Sequence, residues 1–406
     1  MESEGNKRGW GLFVLGLVIG LLASLIIISA IFRQNVRLSD DTLLNEQVLE
    51  KIGNLEQLIH DKFYLAEMTD AELEEGIYRG MLAALDDPYS EYYTAEELTA
   101  LMNQTEGIYY GIGAYVGFDS VTALPKISGI IAGTPAEEAD LRPDDLVYKV
   151  DDKTVYGMSL TEAVALIKGP EGTVVKLTII RSGEPEYLDI SVPRRKVESP
   201  TVHFEMLDEE IAYIEITEFD DVTVDQFADA LAMAKGSDME GLILDLRGNP
   251  GGSLSAVVDI ARMLLPEGLI VYTEDKNGER SEYRCDGSRK LQVPLVVLIN
   301  GNSASASEIL SGAIQDYRLG TLVGTTTFGK GIVQQIISLK DGSALKLTIS
   351  SYFTPKGRNI HGTGIEPDVE CEFDRETYYS TEDRYDNQLE KAKEVLRGKL
   401  VRSGVA

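Results

Sequence analysis

The chain has 406 residues, of which 43% are hydrophobic, and its 38 Lys and Arg residues against 67 Asp and Glu residues give a formal charge of −29. This hydrophobicity excludes an intrinsically disordered chain, and so acidic a surface argues against nucleic acid as a partner because it repels phosphate groups. Two cysteines and three scattered histidines, without HExxH or CxxC spacing, give little support to a metal enzyme, and we expect no cofactor.

The first predicted element is a membrane helix. Residues 10–32 form a run of 23 residues without a charge, and a helix of that length spans roughly 34 Å, enough for a hydrocarbon core about 30 Å thick. A cleaved signal peptide is the alternative, although the run is longer than the apolar segment of such peptides. We expect an uncleaved anchor in the cell membrane, with residues 1–9 in the cytoplasm and residues 33–406 on the extracytoplasmic side.

Residues 38–104 are predicted to form a helical arm. Apolar residues recur every three or four positions within residues 44–59 and again within residues 73–85, which is the spacing of an amphipathic helix. A capping box that begins at Thr69 marks the start of the second helix, and a third short helix is predicted to begin at Thr94. These helices either pack on their own domain or pair two subunits.

Residues 105–197 change to short β-rich runs with a single helix at residues 160–168. Five strands are predicted, at Gly111 to Val116, Lys126 to Ile130, Leu146 to Val150, Val174 to Arg181 and Tyr187 to Val192. The order of these features resembles a PDZ domain, whose groove accepts an extended peptide as an added strand and holds a terminal carboxylate on backbone N–H groups. The resemblance assigns the peptide-binding loop to Tyr110, Gly111, Ile112 and Gly113.

Two positions depart from the PDZ pattern. Asp140 and Asp144 stand where that family usually has glycines, so these turns either place Asp in an unusual conformation or differ in shape. The alternative is a β-rich domain without a peptide groove.

Residues 198–375 alternate strands with helices. A strand at residues 242–246 leads into a Gly-rich loop and a helix, and a strand at residues 295–299 leads into a Ser-rich loop and a helix at residues 304–316. Further strands are predicted at residues 321–324, 333–339 and 344–351. These repeated units indicate a mostly parallel α/β sheet whose strand-end loops contain the functional residues. The last part of the chain, residues 376–406, is predicted to be a solvated tail with a short helix near residues 387–400.

Small residues are concentrated at Asn302 to Glu308, where the Ser-rich loop leads into the helix at residues 304–316. Such a turn presents a serine hydroxyl beside free backbone N–H groups, which is the arrangement of a nucleophile with an oxyanion hole. Ser303, Ser305 and Ser307 are the candidates. The glycine-flanked Lys330 is the candidate base if burial lowers its pKa, and it is otherwise a solvated loop lysine. A base at His361 is the less favoured alternative.

These segments together resemble the carboxyl-terminal processing (tail-specific) proteases. The matching motifs are Leu85-Asp86-Asp87-Pro88-Tyr89-Ser90, Asp245-Leu246-Arg247-Gly248-Asn249-Pro250-Gly251-Gly252, Ser303 to Ile309, Phe328-Gly329-Lys330-Gly331 with Gln334, and Gly364-Ile365-Glu366-Pro367-Asp368.

The resemblance implies a role for each matching residue. Ser305 would be the nucleophile, Lys330 the general base and Gln334 the residue that orients the lysine, while the N–H groups of Gly251 and Ala306 would form the oxyanion hole. The motif also contains the pair Asp245 and Arg247, which we expect to be structural. Glu308 and Asp316 are expected to be helix-end residues or supports of the site.

The fold class implied is α/β: a crotonase/ClpP-like, mostly parallel protease core with an inserted PDZ-like domain, the helical arm and the N-terminal transmembrane helix. The function implied is that of a membrane-anchored serine endopeptidase that cleaves protein or peptide substrates with accessible C-termini, as a homodimer and with a possible regulatory adaptor protein. Two alternatives stay open. One is a catalytically silent PDZ scaffold, and the other is an acyl-CoA enzyme of crotonase type.

Overall fold

The structure is a computed structural model that describes residues 43–208 and 210–403. The predicted membrane helix at residues 10–32 lies outside these residues. Among the residues described, no helix is long and apolar enough to cross a bilayer. The chain divides into two compact units, of which the first ends at Ala84 and the second begins at Leu85.

The described part of the first unit contains two helices, α1 (Glu46–Lys62) and α2 (Asp70–Ala83). Asn45 caps α1 by accepting the N–H of Val48, and Thr69 forms the predicted capping box at the start of α2. No side chain of α1 is buried. Both predicted arm helices are therefore confirmed as helices, and their local capping residues set where they begin.

The second unit opens with β1 (Glu91–Tyr93) and α3 (Ala95–Glu106), the latter capped by Thr94 as predicted. A short ladder and a β-rich domain follow, with the elements β2 (Ile108–Gly111), β3 (Ala114–Asp119), β4 (Leu124–Ile130), α4 (Pro135–Glu138), β5 (Leu146–Val150), β6 (Lys153–Thr154), α5 (Leu160–Ile167), β7 (Val174–Ile180), β8 (Leu188–Pro193) and β9 (Arg195–Glu198). The sheet order is β3-β4-β5-β7-β8, with β6 on β5, while β2 pairs with β9. This order leaves β3 as an edge strand.

The predicted single strand from Gly111 to Val116 is wrong, because the chain turns within it. β2 ends at Gly111 and β3 begins at Ala114. Gly113 lies between them with φ +84°, and a Cβ atom there would lie 2.2 Å from Cβ of Thr134. Only glycine fits such a turn.

The two aspartates that replace the usual PDZ glycines adopt the left-handed conformation, with φ +56° at Asp140 and φ +72° at Asp144. Aspartate tolerates this region better than most side chains. Local ion pairs accompany the turns, because Arg142 binds Asp140 at 2.7 Å and Lys126 binds Asp144 at 3.0 Å. The glycine-type turns are therefore kept without glycine.

The remaining elements form the α/β core. They are β10 (Val202–Met206), β11 (Ile211–Ile216), α6 (Asp221–Gly236), β12 (Gly241–Asp245), α7 (Leu254–Arg262), β13 (Gly268–Asp275), β14 (Arg280–Cys285), β15 (Leu295–Ile299), α8 (Ala306–Asp316), β16 (Gly320–Gly324), β17 (Ile332–Ser338), β18 (Ala344–Phe353), β19 (Val369–Glu370), α9 (Arg375–Ser380) and α10 (Asn387–Ser403).

The main sheet has the order β10-β11-β12-β15-β16-β19, and all its pairs are parallel except β10 with β11. The predicted, mostly parallel α/β sheet is confirmed. Because β12 and β15 are parallel neighbours, the loops that follow them meet at one edge of the sheet. β17 and β18 belong instead to a second, antiparallel sheet with the order β1-β18-β13-β14 and β17 on β18.

The predicted helix near residues 387–400 is present as α10, but the prediction that this part of the tail is solvated is wrong. Ala392, Leu396 and Leu400 on α10 are almost fully buried, and the first two belong to one apolar cluster with Ile243 and Val296 of the sheet. The opposite face of the sheet packs with α6, α7 and α8. Since adjacent residues of a strand point to opposite faces, the fully apolar strands need a helix on each face, and α10 covers the second one.

Candidate active site

Ser305 lies at the strained turn between β15 and α8. Its backbone has φ +53° and ψ −111°, a combination that few residues other than glycine adopt and that costs about 1–3 kcal/mol. The serine lines a cavity of about 360 Å³. The sequence pattern of small residues at this helix start therefore places a hydroxyl group at the edge of an open cavity.

The two neighbouring serines are used in the structure of the turn. Ser303 is fully buried and donates its hydroxyl proton to the carbonyl of Leu246 at 2.8 Å. Ser307 is also fully buried and donates to the carbonyl of Asn249 at 3.0 Å. Both bonds tie the loop after β15 to the loop after β12, and neither serine lines the cavity. Ser305 is therefore the serine of this segment that a substrate can reach.

Lys330 lines the same cavity as Ser305. Burial, together with the like charge of Lys346, lowers the pKa of the Lys330 amine below its usual value, and the carboxylate of Asp87 opposes this shift. The Nζ atom lies 4.3 Å from the centroid of the Tyr89 ring. In the part of the chain that the structure describes, no hydrogen bond joins this amine to Ser305.

The buried carboxylate of Glu308 joins the backbone of the two loops. Oε2 accepts the N–H of Ser305 at 2.9 Å and the N–H of Lys330 at 2.8 Å. Oε1 accepts the N–H of Gly329 at 2.7 Å and the hydroxyl of Thr327 at 2.6 Å. The side chain is fully buried. One carboxylate thus fixes both candidate catalytic loops through four hydrogen bonds. The sequence predicted a supporting role for Glu308 but not these partners.

Tyr352 on β18 makes a second connection between the same two loops. Its hydroxyl lies 3.0 Å from the carbonyl oxygen of Ser305 and also contacts the carbonyl oxygen of Lys330. The tyrosine is 1% exposed, and burial raises its pKa well above the usual value. A hydroxyl with a raised pKa stays protonated near neutral pH and can donate to either carbonyl. No sequence signal distinguished this residue from other strand tyrosines.

Gly251 packs directly against the candidate nucleophile. Its φ is +105°, and a Cβ atom there would lie 2.7 Å from Cβ of Ser305 and 2.9 Å from the backbone nitrogen of Ala306. The N–H of Gly251 donates to Oδ1 of Asn249 at 2.8 Å. Among the described residues, the N–H of Ala306 has no acceptor, as expected for the first residue of a helix. The two predicted oxyanion donors are thus adjacent, but only Ala306 is free in this conformation.

Gln334 lines the cavity together with Lys330. Its amide nitrogen donates to Oγ1 of Thr348 at 3.2 Å, on the neighbouring strand. The structure thus brings Ser305, Lys330 and Gln334 to one cavity without a hydrogen bond among them. His361, by contrast, is exposed on its loop and does not line this cavity.

The predicted peptide-binding loop lies at the start of the β-rich domain. Tyr110 lines a second cavity of about 640 Å³. Ile112 is 2% exposed and packs in the core of this domain, so only the backbone at this position can serve a peptide. Gly113 leads into the edge strand β3, and α5 lies beside that strand. An edge strand next to a helix is the arrangement of a peptide groove.

Asp245 and Arg247 form the expected structural pair, at 2.6 Å. Arg247 also binds Asp386 at 2.9 Å and Gln388 at 3.0 Å, at the start of α10. Tyr213 donates to the same Asp245 carboxylate at 2.8 Å. This network attaches the C-terminal helix to the strand end that begins the Gly251 loop. The contacts of Arg247 with Asp386 and Gln388 were not predicted, because these partners are far apart in sequence.

The two cysteines, which the sequence left open as a pair, are both free in the structure. Cys285 is buried at the end of β14, and Cys371 is partly buried just after β19. No disulfide therefore contributes to the site.

Comparison with known proteins agrees with this arrangement. Residues 210–371 match the family model of peptidase family S41, residues 126–181 match the PDZ domain, and residues 29–97 match the N-terminal domain of the activating protease CtpB. The carboxy-terminal processing protease CtpA of Bacillus subtilis is 35% identical over 367 residues, which cover 90% of this chain and 78% of that protein.

A second relative is the carboxyl-terminal-processing protease of Synechocystis, which is 33% identical over 405 residues and is matched over 98% of this chain and 95% of its own length. Among solved structures, the photosystem II D1 C-terminal processing protease is 30% identical, with a TM-score of 0.47 over 80% of this chain and 92% of that one.

Proposed function

The chain belongs to the carboxyl-terminal processing proteases, serine-type peptidases of family S41 with a PDZ domain, and from this premise we propose a membrane-anchored endopeptidase that cuts protein substrates near their C-termini with a dyad of Ser305 and Lys330. The observation that supports the dyad is that the strained serine and a lysine of lowered pKa line one cavity. We assign the core to the crotonase/ClpP-like architecture, in which backbone N–H groups at a helix start serve acyl chemistry.

Catalysis begins when the Lys330 amine, uncharged, turns from the Tyr89 ring toward Ser305. The amine takes the hydroxyl proton as Oγ of Ser305 attacks the scissile carbonyl, and Gln334 orients the amine. The oxygen that becomes negative accepts the N–H of Ala306 and, once Asn249 releases it, that of Gly251. Such donors contribute roughly 2.7–4 kcal/mol each in a transition state. Lys330 then protonates the leaving amine, and water hydrolyses the acyl-enzyme.

The PDZ domain binds the C-terminal end of the substrate in this proposal. The support is the free edge of β3, which can pair with an extended peptide, and α5 beside it. A tail held there raises the local concentration of the substrate at Ser305, so a weak peptide affinity is sufficient.

Two further parts of the proposal concern assembly. Residues 10–32 anchor the protein in the cell membrane with its catalytic domain outside the cytoplasm, and the arm pairs two copies of the chain. The support for pairing is that Leu49, Leu55 and Leu58 of α1 are all about half-exposed. Carbonate washing of membranes tests the anchor, since the full chain should stay with the pellet and a chain lacking residues 1–32 should not. Release of the full chain would contradict the anchor.

The dyad is tested with a fluorophosphonate probe and with unfolded proteins that differ only at their C-termini. The wild type should be labelled and should cleave in a tail-dependent way, whereas Ser305→Ala should do neither. Lys330→Arg should stay folded but lose activity, because guanidinium keeps its proton near neutrality. Lys340→Arg, a matched change at an exposed lysine, should keep full activity. Full cleavage by Lys330→Arg would contradict a lysine base.

A further inference from the structure

The cavity that contains Ser305 also has an acidic wall. Glu218 and Asp220, from the turn between β11 and α6, line this cavity. The same two residues line the second cavity, which is bounded by Tyr109, Lys168 and Gly169 at the edge of the PDZ domain. The acidic pair therefore lies where the catalytic cavity adjoins the one next to the PDZ domain.

Asp220 is a buried residue whose side chain borders both cavities. The residue is 5% exposed, its side chain forms the capping box of α6 with Thr223, and in the described part of the chain it has no ion pair. Its own N–H is held by Oγ1 of Thr223 at 2.9 Å, which fixes the backbone. Burial, followed by the charges of Glu218 and Asp221, raises the pKa of Asp220 to about 7. A carboxylate without a positive partner in so buried a residue is costly, so this group gains from a cation.

The cations that already line the two cavities form no ion pair with Asp220 or Glu218 among the described residues. The Nζ atom of Lys168 lies 5.5 Å from the centroid of the Tyr109 ring instead. Lys346 binds Glu91 at 2.8 Å, and Lys330 must be uncharged to act as the base. Glu218 is only partly exposed, and burial raises its pKa as well. Two neighbouring carboxylates repel each other, and a positive charge between them relieves both, which a neutral hydrogen-bond donor does not.

We propose that Glu218 and Asp220 form a subsite for a lysine or arginine side chain of the substrate, on the C-terminal side of the scissile bond. The position rests on the proposed function: if the PDZ domain holds the substrate tail and Ser305 attacks upstream, the residues between them pass the acidic pair. A cationic side chain binds the two carboxylates through charge-assisted hydrogen bonds. The enzyme thereby selects where along a captured tail it cuts.

The test uses the full-length protein and peptides of one sequence that carry Lys, Gln or Glu at each position after the cleavage site. At one position, kcat/KM should be about 10- to 100-fold higher for Lys than for Gln, the range expected for a hydrogen bond between charged groups. Asp220→Asn and Glu218→Gln should each lower this ratio by about tenfold. Asp225→Asn, a matched change at an exposed aspartate of α6 that lines neither cavity, should keep the ratio. Equal kcat/KM for Lys and Gln at every position would overturn the subsite.

The ratio of kcat/KM for Lys over Gln should also rise between pH 6 and pH 8, because Asp220 ionises in this range. Taking a ratio cancels the titration of the base, which both peptides share. The other titratable groups that line the two cavities are Glu218, Lys330, Lys346, Tyr109, Tyr110, Lys168 and Tyr352. A ratio that stays constant with pH would exclude Asp220 as the discriminating group.

Two controls separate the possible failures. Ser305→Ala cannot turn over, so the Kd values of fluorescent Lys and Gln peptides for this variant test the subsite even if the enzyme proves inactive. A tighter Kd for Lys that disappears in Ser305→Ala/Asp220→Asn supports the subsite alone. A Lys preference that appears only after EDTA treatment and is abolished by Ca²⁺ would overturn it, because the pair would then be holding a metal ion in the untreated enzyme.

Discussion

The replacement of Glu308 by Gln tests how the two candidate catalytic loops are held. The amide offers one oxygen where the carboxylate offers two. If its NH₂ group faces Ser305 and Lys330, both backbone N–H groups lose their acceptor. If it faces Thr327 and Gly329, the Gly329 N–H is left unpaired, while the threonine hydroxyl can turn to accept and its proton gives up its bond to the side chain of residue 308. The second orientation is the less costly one.

The magnitude follows from these contacts. One buried donor without an acceptor costs about 1–3 kcal/mol, and the two bonds that remain lose about 1 kcal/mol each when their acceptor loses its charge. We therefore expect Glu308→Gln to lower the free energy of unfolding by about 3–5 kcal/mol. Because both loops are released, kcat/KM should fall by roughly 100-fold, the effect of misplacing reacting groups by about 1 Å.

Urea unfolding followed by circular dichroism gives the stability change, and peptide hydrolysis per folded molecule gives kcat/KM. The matched control is Asp316→Asn, at the other end of α8. Its carboxylate is 8% exposed and accepts the N–H of Lys356 at 2.8 Å and a guanidinium N–H of Arg358 at 2.6 Å. This variant should lose stability but keep kcat/KM within about twofold, since it touches neither loop. Equal kcat/KM in Glu308→Gln and the wild type would refute the argument.

Three further predictions concern the base and the tyrosine. Lys346→Met removes a like charge and should raise the pKa of Lys330, so the rising limb of kcat/KM against pH moves to higher pH. Asp87→Asn removes the negative charge that raises the pKa of Lys330, so the same limb should move to lower pH. A shift in the same direction for both variants would contradict the electrostatic argument. Tyr352→Phe should lower kcat/KM about tenfold with KM little changed, because only the hydroxyl that holds the Ser305 and Lys330 carbonyls is lost. Steady-state kinetics over a pH series measures all three, and an unaltered kcat in Tyr352→Phe would mean that the loops need no such support.

Elements with local signals were predictable from the sequence. The capping boxes at Thr69 and Thr94 involve residues three positions apart, and both mark helix starts in the structure. The parallel sheet followed from apolar strands that lead into Gly- and Ser-rich loops. The break between β2 and β3 was missed. It depends on Gly113, whose carbonyl accepts a hydrogen bond from Thr134 and whose missing Cβ leaves room for that side chain, 21 residues away.

The supports of the site were beyond the reach of sequence patterns for the same reason. Glu308 at the start of a helix is explained by the helix dipole alone, and nothing local shows that its oxygens reach Gly329 and Lys330, 21 and 22 residues on. Tyr352 lies 47 residues from Ser305. The acidic pair Glu218 and Asp220 has no motif, and only the structure brings it into one cavity with Ser305.

The conformation of Ser305 shows why these distant contacts matter. A serine before a helix usually turns its hydroxyl back to cap the third N–H of the helix. Here the N–H of Glu308 is satisfied by the Ser305 carbonyl at 2.9 Å, and the Ser305 N–H is satisfied by the Glu308 carboxylate at 2.9 Å. The N–H groups of the turn are thus satisfied by the Ser305 carbonyl and the Glu308 carboxylate, and the hydroxyl of Tyr352 bonds to the Ser305 carbonyl. The strained backbone is thus fixed on both sides, and the hydroxyl is left for the cavity.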